Sequence, residues 1–428
     1  GFDVVLGNPP WEVMELSEEE YFAAIRPEIS RLSGGERKRA IAALELDSPS
    51  AFSEFNAAKR TFEAVNDFSR DSGRFKLTAR GRVNTYALFS ELCTELAKHR
   101  MGIIVPTGIA TDATTAPFFS NLVDKKRLAQ LLDFENRAGL FAAVDSRMKF
   151  SILTIGRNET VANFAFFLTS VAQISDESRN FTLLSEEIAL LNPNTGTAPV
   201  FRSRHDASIV KKLYAAHPII SMNSGAEKIR PWEMDIRQGM FNKSVASSLG
   251  HLIRFNQVPD GKHMEWLAAN EGEYGFLFDH RYATFANGTT RLVANAERTS
   301  EFEPSFEFFF RKEEFDRVMQ RWGMPDNVKS FLAFRRVSRS TDERTVVAAI
   351  LPRMPMSYGW LISVGLNSQQ QALLGANYCS LVFDYTMRCA LSQPSIPIVT
   401  AEQLPVVPPD FYTSSRLAFI TPKVLELT

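Results

Sequence analysis

Little in this sequence suits covalent cross-linking, metal capture or membrane insertion. Its three cysteines, Cys93, Cys379 and Cys389, are too widely separated for a disulfide framework or a zinc-ligand spacing, and fit a reducing cytosol. The six histidines are scattered and leave no metal-binding interval. No apolar run approaches the ~20 residues a membrane helix needs, and the first residues hold neither a charged n-region nor an apolar h-region. We therefore expect no metal and no membrane partner. Net charge is also small, at −1. No global basic field announces a nucleic-acid partner, so any such surface must be a local patch offset by acidic segments such as Glu12 to Glu20.

Phosphate-binding signatures are missing as well. Nowhere does a strand run into Gly-x-Gly and a helix. Gly34-Gly35 has no preceding strand and no following Gly-Lys-Ser/Thr, and reads as a helix break. Glu36-Arg37-Lys38 has the Glu-x-Lys form of many nucleases but no Asp on a preceding strand, and reads as a solvated helix face. No internal repeat or low-complexity tract occurs. At 428 residues, 45% of them hydrophobic and 23% charged, the chain has ordinary globular composition and exceeds a single core, so two or three domains are expected.

What is there begins at once. The apolar run Val4-Val5-Leu6 stops at Gly7-Asn8, and Pro9-Pro10 forbid the strand from continuing by removing its donors and fixing φ. The chain must turn, and the turn presents an amide side chain, backbone carbonyls and the ring of Trp11. These groups suit the holding of a planar base by its exocyclic amino group. The Asn8 side-chain oxygen and the Pro9 carbonyl can each accept one N–H while Trp11 stacks on the ring. With both hydrogens held, the nitrogen lone pair is aimed at an electrophile, and no general base is needed to start the reaction.

Further on, Ser17 with Glu20 has the capping-box pattern, and helical spacing continues through 37–46 and 52–68. Tyr86, Ala87, Phe89, Leu92, Cys93 and Leu96 form one apolar helix face, with Lys98-His99-Arg100 placed as its basic C-terminus. Strands follow at Gly102 to Pro106, at Leu131 to Phe134 and at Phe150 to Ile155. Strand, helix, strand, helix, strand is the grammar of a doubly wound sheet, whose functional groups gather at the carboxyl ends of its strands. A strand at 164–168 and helices at 185–191 and 206–216 come next, and the domain boundary is placed near 221–226, where polar residues and glycine appear.

Asn8-Pro9-Pro10-Trp11 after a hydrophobic strand resembles the catalytic motif of N6-adenine DNA methyltransferases. The order of later segments strengthens the likeness. Asn84-x-Tyr86-x-x-Phe89 resembles the motif whose aromatic lines the cofactor adenine pocket, Gly102 to Pro106 the next, and Phe134-Glu135-Asn136 with 141–150 those that face the flipped base. The resemblance implies S-adenosyl-L-methionine as cofactor, with Asn8, Pro10 and Phe89 at its site. It implies catalysis at Asn8, Pro9, Pro10 and Trp11, and stacking of the target base on Trp11, Phe141 and Phe150. The glycine-rich loop and the acidic residue that normally bind the cofactor would lie upstream. The chain, which starts at Gly1 directly in a strand, is therefore expected to be part of a longer polypeptide whose preceding half is its partner, and to be inactive alone.

The second half is built of short aromatic and polar runs. Those at 274–282, 305–310 and 330–344, with 348–352 and 383–385 before 403–406, look like the target-recognition region of type IIG restriction-modification methylases and their phage-defence relatives. This implies double-stranded DNA as partner and a prokaryotic cytosolic location. Arg335, Arg336, Arg339 and Arg344, alternating with hydroxyls, offer phosphate contacts and base-edge donors, and His280-Arg281 is a further candidate contact. The expected fold is α/β: an incomplete doubly wound, Rossmann-like methyltransferase sheet with a helical insertion at about 17–78, occupying 1–222, then an α+β target-recognition domain at 223–428. Two rivals remain open: a non-catalytic DNA-binding specificity module, and a methyltransferase acting on RNA or on protein glutamine.

Overall fold

The computed structural model describes the whole chain except residues 226, 271–282, 298, 300, 303, 392, 393 and 428, with no side-chain description at 295 and 425–427. The described residues fall into two compact units, Gly1–Arg204 and His205–Thr428. The division comes earlier than the composition change near 221–226. The helix Arg204–Ala216 buries Ala207, Val210 and Tyr214, and within the second unit its Asp206 accepts the hydroxyl of Tyr385.

In the first unit, strand β1 (Phe2–Gly7) leads into helices α1 (Glu18–Ile25), α2 (Pro27–Ser30), α3 (Gly34–Asp47) and α4 (Pro49–Asp71). These helices have a small core of their own in Phe22, Ile29, Ile41, Leu44 and Phe55. Ser17 caps α1 by accepting from the Glu20 amide, at 3.3 Å, which is one half of the capping box that its spacing predicts. Glu36 closes the capping box of α3 with Ser33, at 2.7 Å to the hydroxyl. Arg37 is not a solvated residue as expected: its guanidinium ties Glu19 to the Ser30 and Leu32 carbonyls at the α2–α3 junction.

The remaining elements are α5 (Thr85–Leu96), β2 (Ala97–Pro106), α6 (Gly108–Thr111), α7 (Ala116–Asp124), β3 (Leu128–Glu135), β4 (Lys149–Ile155), β5 (Val161–Leu168), β6 (Phe181–Leu184) and α8 (Ser185–Leu191). Lys98-His99-Arg100, expected at a helix end, are strand residues, because Ala97 and Arg100 pair with Phe2 and Val4 of β1. The sheet order is β1-β2-β4-β3-β5-β6. β1 pairs parallel with β2, and β3 with β5. β4, however, runs antiparallel between β2 and β3. The sheet is therefore mixed, with β4 the antiparallel member, a direction that the expected doubly wound order left unspecified. The connection 136–148 carries one short helical turn, Asn136–Ala138, in place of a crossover helix, and folds β4 back beside β3. The reversal brings the beginning of β4 to the edge where β1, β2 and β3 end, since Phe150 pairs with both Pro106 and Phe134.

The second unit is α+β. Its main sheet is antiparallel, ordered Ala348–Pro352, Ser330–Arg335, Trp360–Val364, Asp235–Gln238. Both faces are covered: Ser330–Arg335 and Trp360–Val364 are buried almost throughout, and the period of two sends alternate residues to opposite faces. Leu332, Phe334 and Leu361 pack into one core with Tyr378, Phe383 and Met387 of the helices Ser368–Cys379 and Leu381–Ala390. Phe331, Ala333, Trp360 and Ile362 pack into another with Phe241, Phe308, Phe310 and Phe315.

Candidate functional site

The edge at which β1, β2 and β3 end gathers the chemistry. After Gly7 the chain leaves the sheet, and the turn is fastened at defined points. The Trp11 indole N–H donates to the Ile104 carbonyl of β2, at 3.3 Å. The Thr85 hydroxyl donates to the Pro10 carbonyl at 2.7 Å and accepts from the Glu12 amide at 2.9 Å. Met14 N donates to Val83 O at 3.0 Å, and the Asn66 side chain donates to Met14 O. The start of α5, where Asn84 caps the helix through the Tyr86 amide, thus grips the segment after the turn.

What the fastening leaves open matters most. The Pro10 carbonyl is taken by Thr85, whereas among the described residues neither the Asn8 side chain, which is exposed, nor the Pro9 carbonyl has a hydrogen-bond partner. These are the two acceptors that the residue types single out for an amino group.

Beside them lies an aromatic cluster. Trp11, half-buried, packs with Phe141, Ile104, Ile152 and Ile174 against buried Leu132, Phe134, Phe150, Ala165 and Leu168. Phe150 stacks on Phe134, with ring centres 5.2 Å apart and planes 6° apart, and meets Phe141 edge-on at 4.9 Å. The three expected stacking residues therefore come together, with different exposures. Phe150 is buried, while Trp11 and Phe141 keep part of their surfaces accessible. Phe89 projects from α5 and is 41% exposed, so it is not a core residue of that helix.

On the opposite face of the sheet a polar network joins the strand ends. Buried Asp133 of β3 accepts from the Thr107 hydroxyl, just past β2, and from the Phe167 amide of β5, at 3.1 Å. Ser151 of β4 donates to the Thr107 oxygen at 3.3 Å. Burial raises the Asp133 carboxyl above its ordinary range, against the lowering effect of these hydrogen bonds. Phe167 sits at φ +58°, a conformation rare for a bulky residue, and the cations of Lys149 and Arg202 lie over its ring at 4.8 and 4.2 Å. Near the start of α6, burial and the neighbouring Asp112 push the Tyr86 hydroxyl up to about 12.

Two positioning residues, Thr85 and Asn136, are not among the expected site residues. Thr85 was hidden between the more conspicuous Asn84 and Tyr86. Asn136 closes Phe134-Glu135-Asn136 and is wholly buried, its amide nitrogen donating to the carbonyls of Phe141 and Val144 at 3.0 and 2.8 Å. A polar residue directly after a strand is the available signal for Asn136, and it is shared by ordinary turns; Thr85, the first residue of α5, offers none.

In the second unit the arginine cluster divides. Arg335 is buried at the end of its strand. Arg344 donates to the Cys379 carbonyl at 2.8 Å and faces the buried carboxylate of Asp384, 3.4 Å from its Nε. Asp384 also accepts from the Thr345 and Val346 amides, at 2.8 Å each, and from Arg388 at 3.1 Å. It is the hub of the 339–346 loop. Arg339 is exposed and Arg336 half-buried, and no partner engages either side chain among the described residues. His280 and Arg281 lie outside the described residues. No described helix is long and apolar enough to cross a membrane.

No protein-family model matches the sequence, and no curated protein does. Solved structures similar to this chain include the type IIG restriction endonuclease BpuSI, at 16% identity and a TM-score of 0.33, covering 99% of this chain and 49% of that one. Another is the type IIL restriction-modification enzyme MmeI in complex with DNA, at 10% identity and a TM-score of 0.41, covering 99% and 53%. A third is the methyltransferase subunit of a type I restriction-modification system from Streptococcus thermophilus, at 15% identity and a TM-score of 0.27, covering 46% and 37%. The chain spans about half the length of the first two.

Proposed function

We propose that the chain is part of a site-specific DNA adenine N6-methyltransferase of a restriction-modification or phage-defence system. The observation that carries this reading is the pair of acceptors unclaimed among the described residues, the Asn8 side-chain oxygen and the Pro9 carbonyl, beside the half-exposed rings of Trp11 and Phe141. An adenine extruded from duplex DNA stacks between these rings and gives both amino hydrogens to the two oxygens. Its nitrogen lone pair is then directed at the methyl donor. Phe150, buried, backs Phe141 rather than touching the base. Extrusion costs a few kcal/mol, which stacking and phosphate contacts must offset.

The cofactor in this reading is S-adenosyl-L-methionine, which supplies the methyl group as an electrophile. The residues present fit one wall of its site: the exposed Phe89 ring, with Asn8 and Pro10. The methionine end and the ribose need a glycine turn and an acidic residue, which we assign to the upstream part of the same polypeptide. One feature of β1 supports such a partner. It is an edge strand whose Phe2, Val4 and Leu6 are all more than half exposed, a surface that unpartnered edges rarely keep. The second unit is the target-recognition domain, with Arg339 and Arg336 as its available cations in the cluster.

The test is methyl transfer from labelled S-adenosylmethionine by the full-length protein to duplex DNA, RNA and bulk protein, with the product identified by mass spectrometry. N6-methyladenine in duplex DNA is expected. Methylglutamine or a methylated RNA base moves the same turn to another substrate, and no transfer from an intact, DNA-binding protein leaves a specificity module.

A further inference from the structure

The loop 136–148 hangs on one side chain. Asn136 is 0% exposed, and its amide uses both N–H groups inside the loop, on Phe141 O and Val144 O, while its oxygen accepts the Phe141 amide at 2.9 Å. Both backbone groups of Phe141 are thus clamped by the same amide. Gly139, at φ +71°, makes the reversal that brings the loop back to this clamp, and the Asn136 backbone N–H closes the base of the loop on Met148 O at 3.0 Å. The pattern of two donors and one acceptor is peculiar to a carboxamide. An aspartate lacks the donors, and a glutamine is one methylene too long to occupy the same space.

We propose that Asn136 is the positioning residue of the base-stacking wall: by clamping Phe141 it fixes that ring edge-on to Phe150 before a base arrives. The inference rests on the reading of Trp11 and Phe141 as the walls of an adenine site. Its physical content is preorganisation. A ring carried on an untethered loop loses conformational freedom when it stacks, and that loss subtracts from the stacking gain that offsets extrusion. In this proposal Asn136 touches neither base nor cofactor and acts on stacking through Phe141, its bond to Val144 O holding the rest of the loop.

The test is a double-mutant cycle in the full-length protein with Asn136→Ala, Phe141→Ala and the pair. It is read as kcat/KM on matched duplex and as 2-aminopurine fluorescence at the target position, both per folded enzyme. Each single change is expected to lower kcat/KM by about tenfold and to reduce the fluorescence rise, the loss of one base–aromatic stack. The pair is expected to lie within about twofold of Phe141→Ala, because coupled residues do not add. If Asn136→Ala fails to fold, Asn136→Ser, which keeps one hydroxyl in the loop, replaces it in the cycle. Multiplying effects, or an Asn136 variant that loses thermal stability but keeps wild-type kinetics and fluorescence, overturn the proposal. The underlying reading fails separately: in that case Asn8→Ala retains transfer, or the wild-type protein transfers no methyl group to adenine.

Discussion

The Asn8–Trp11 edge of the first unit and the arginine cluster of the second are both conspicuous in the sequence, yet the structure uses them in opposite ways. At the first edge the neighbouring groups are consumed, Pro10 by Thr85 and the Trp11 N–H by Ile104, while Asn8 and the Pro9 carbonyl stay open among the described residues. In the cluster the most prominent groups are themselves consumed: Arg335 is buried and Arg344 serves Asp384, leaving Arg339 and Arg336. Residue type says what a group can do. Only packing says whether it is free to do it.

The comparison breaks most readily at Asp384. Removing this carboxylate leaves two buried amides without their acceptor and two guanidinium groups without their counter-charge, so Asp384→Ala is expected to destabilise the second unit by about 3–5 kcal/mol in urea unfolding. A loss below about 1 kcal/mol means that the hub does not hold the loop.

Next in size is Trp11→Ala. Trp11 is only half-buried, so a cost of about 2 kcal/mol is expected, together with a changed 2-aminopurine signal at the target. An unaltered signal removes Trp11 from the pocket.

A smaller effect separates the arginines. Arg339→Ala is expected to leave stability within about 0.5 kcal/mol and to reduce the salt slope of DNA binding by about one. Arg335→Ala should cost about 1–3 kcal/mol of stability and leave that slope unchanged. The reverse outcome places the DNA surface at the buried residue and contradicts the division drawn here.

The smallest effect belongs to Asp133. Burial raises its folded value above the ordinary 3.8, so it binds its proton more tightly folded than unfolded. Its contribution to stability is therefore fully present below about pH 3.8 and declines as pH rises through the raised folded value. Relative to Asp133→Asn, which cannot titrate, the wild type should lose stability across the mildly acidic range and then level off. Parallel pH profiles contradict this.

Much of the first unit was legible because its signals are local. Two prolines end β1, Ser17 caps α1, and apolar runs mark β2 to β5. The direction of β4 was not legible, since periodicity reports which residues are buried and not which way a strand runs. The burial of Arg335 was hidden for a related reason: it continues the strand Ser330–Arg335, and a cation at the end of such a run looks the same in sequence whether covered or not. Thr85 and Asn136 act on backbone groups of residues distant or several positions away, an arrangement that only the folded loops create. The turn that carries Asn8 and Trp11 was legible because proline makes it compulsory.

The central claim is that the free Asn8 oxygen orients an adenine amino group for methyl transfer. It is tested most directly by comparing the full-length protein with its Asn8→Ala variant for N6-methyladenine formation and for DNA affinity on the same duplex. Transfer should be abolished while affinity stays within a few fold, since one base contact is minor beside many phosphate contacts. Undiminished transfer, or equal loss of binding and transfer, would contradict the account.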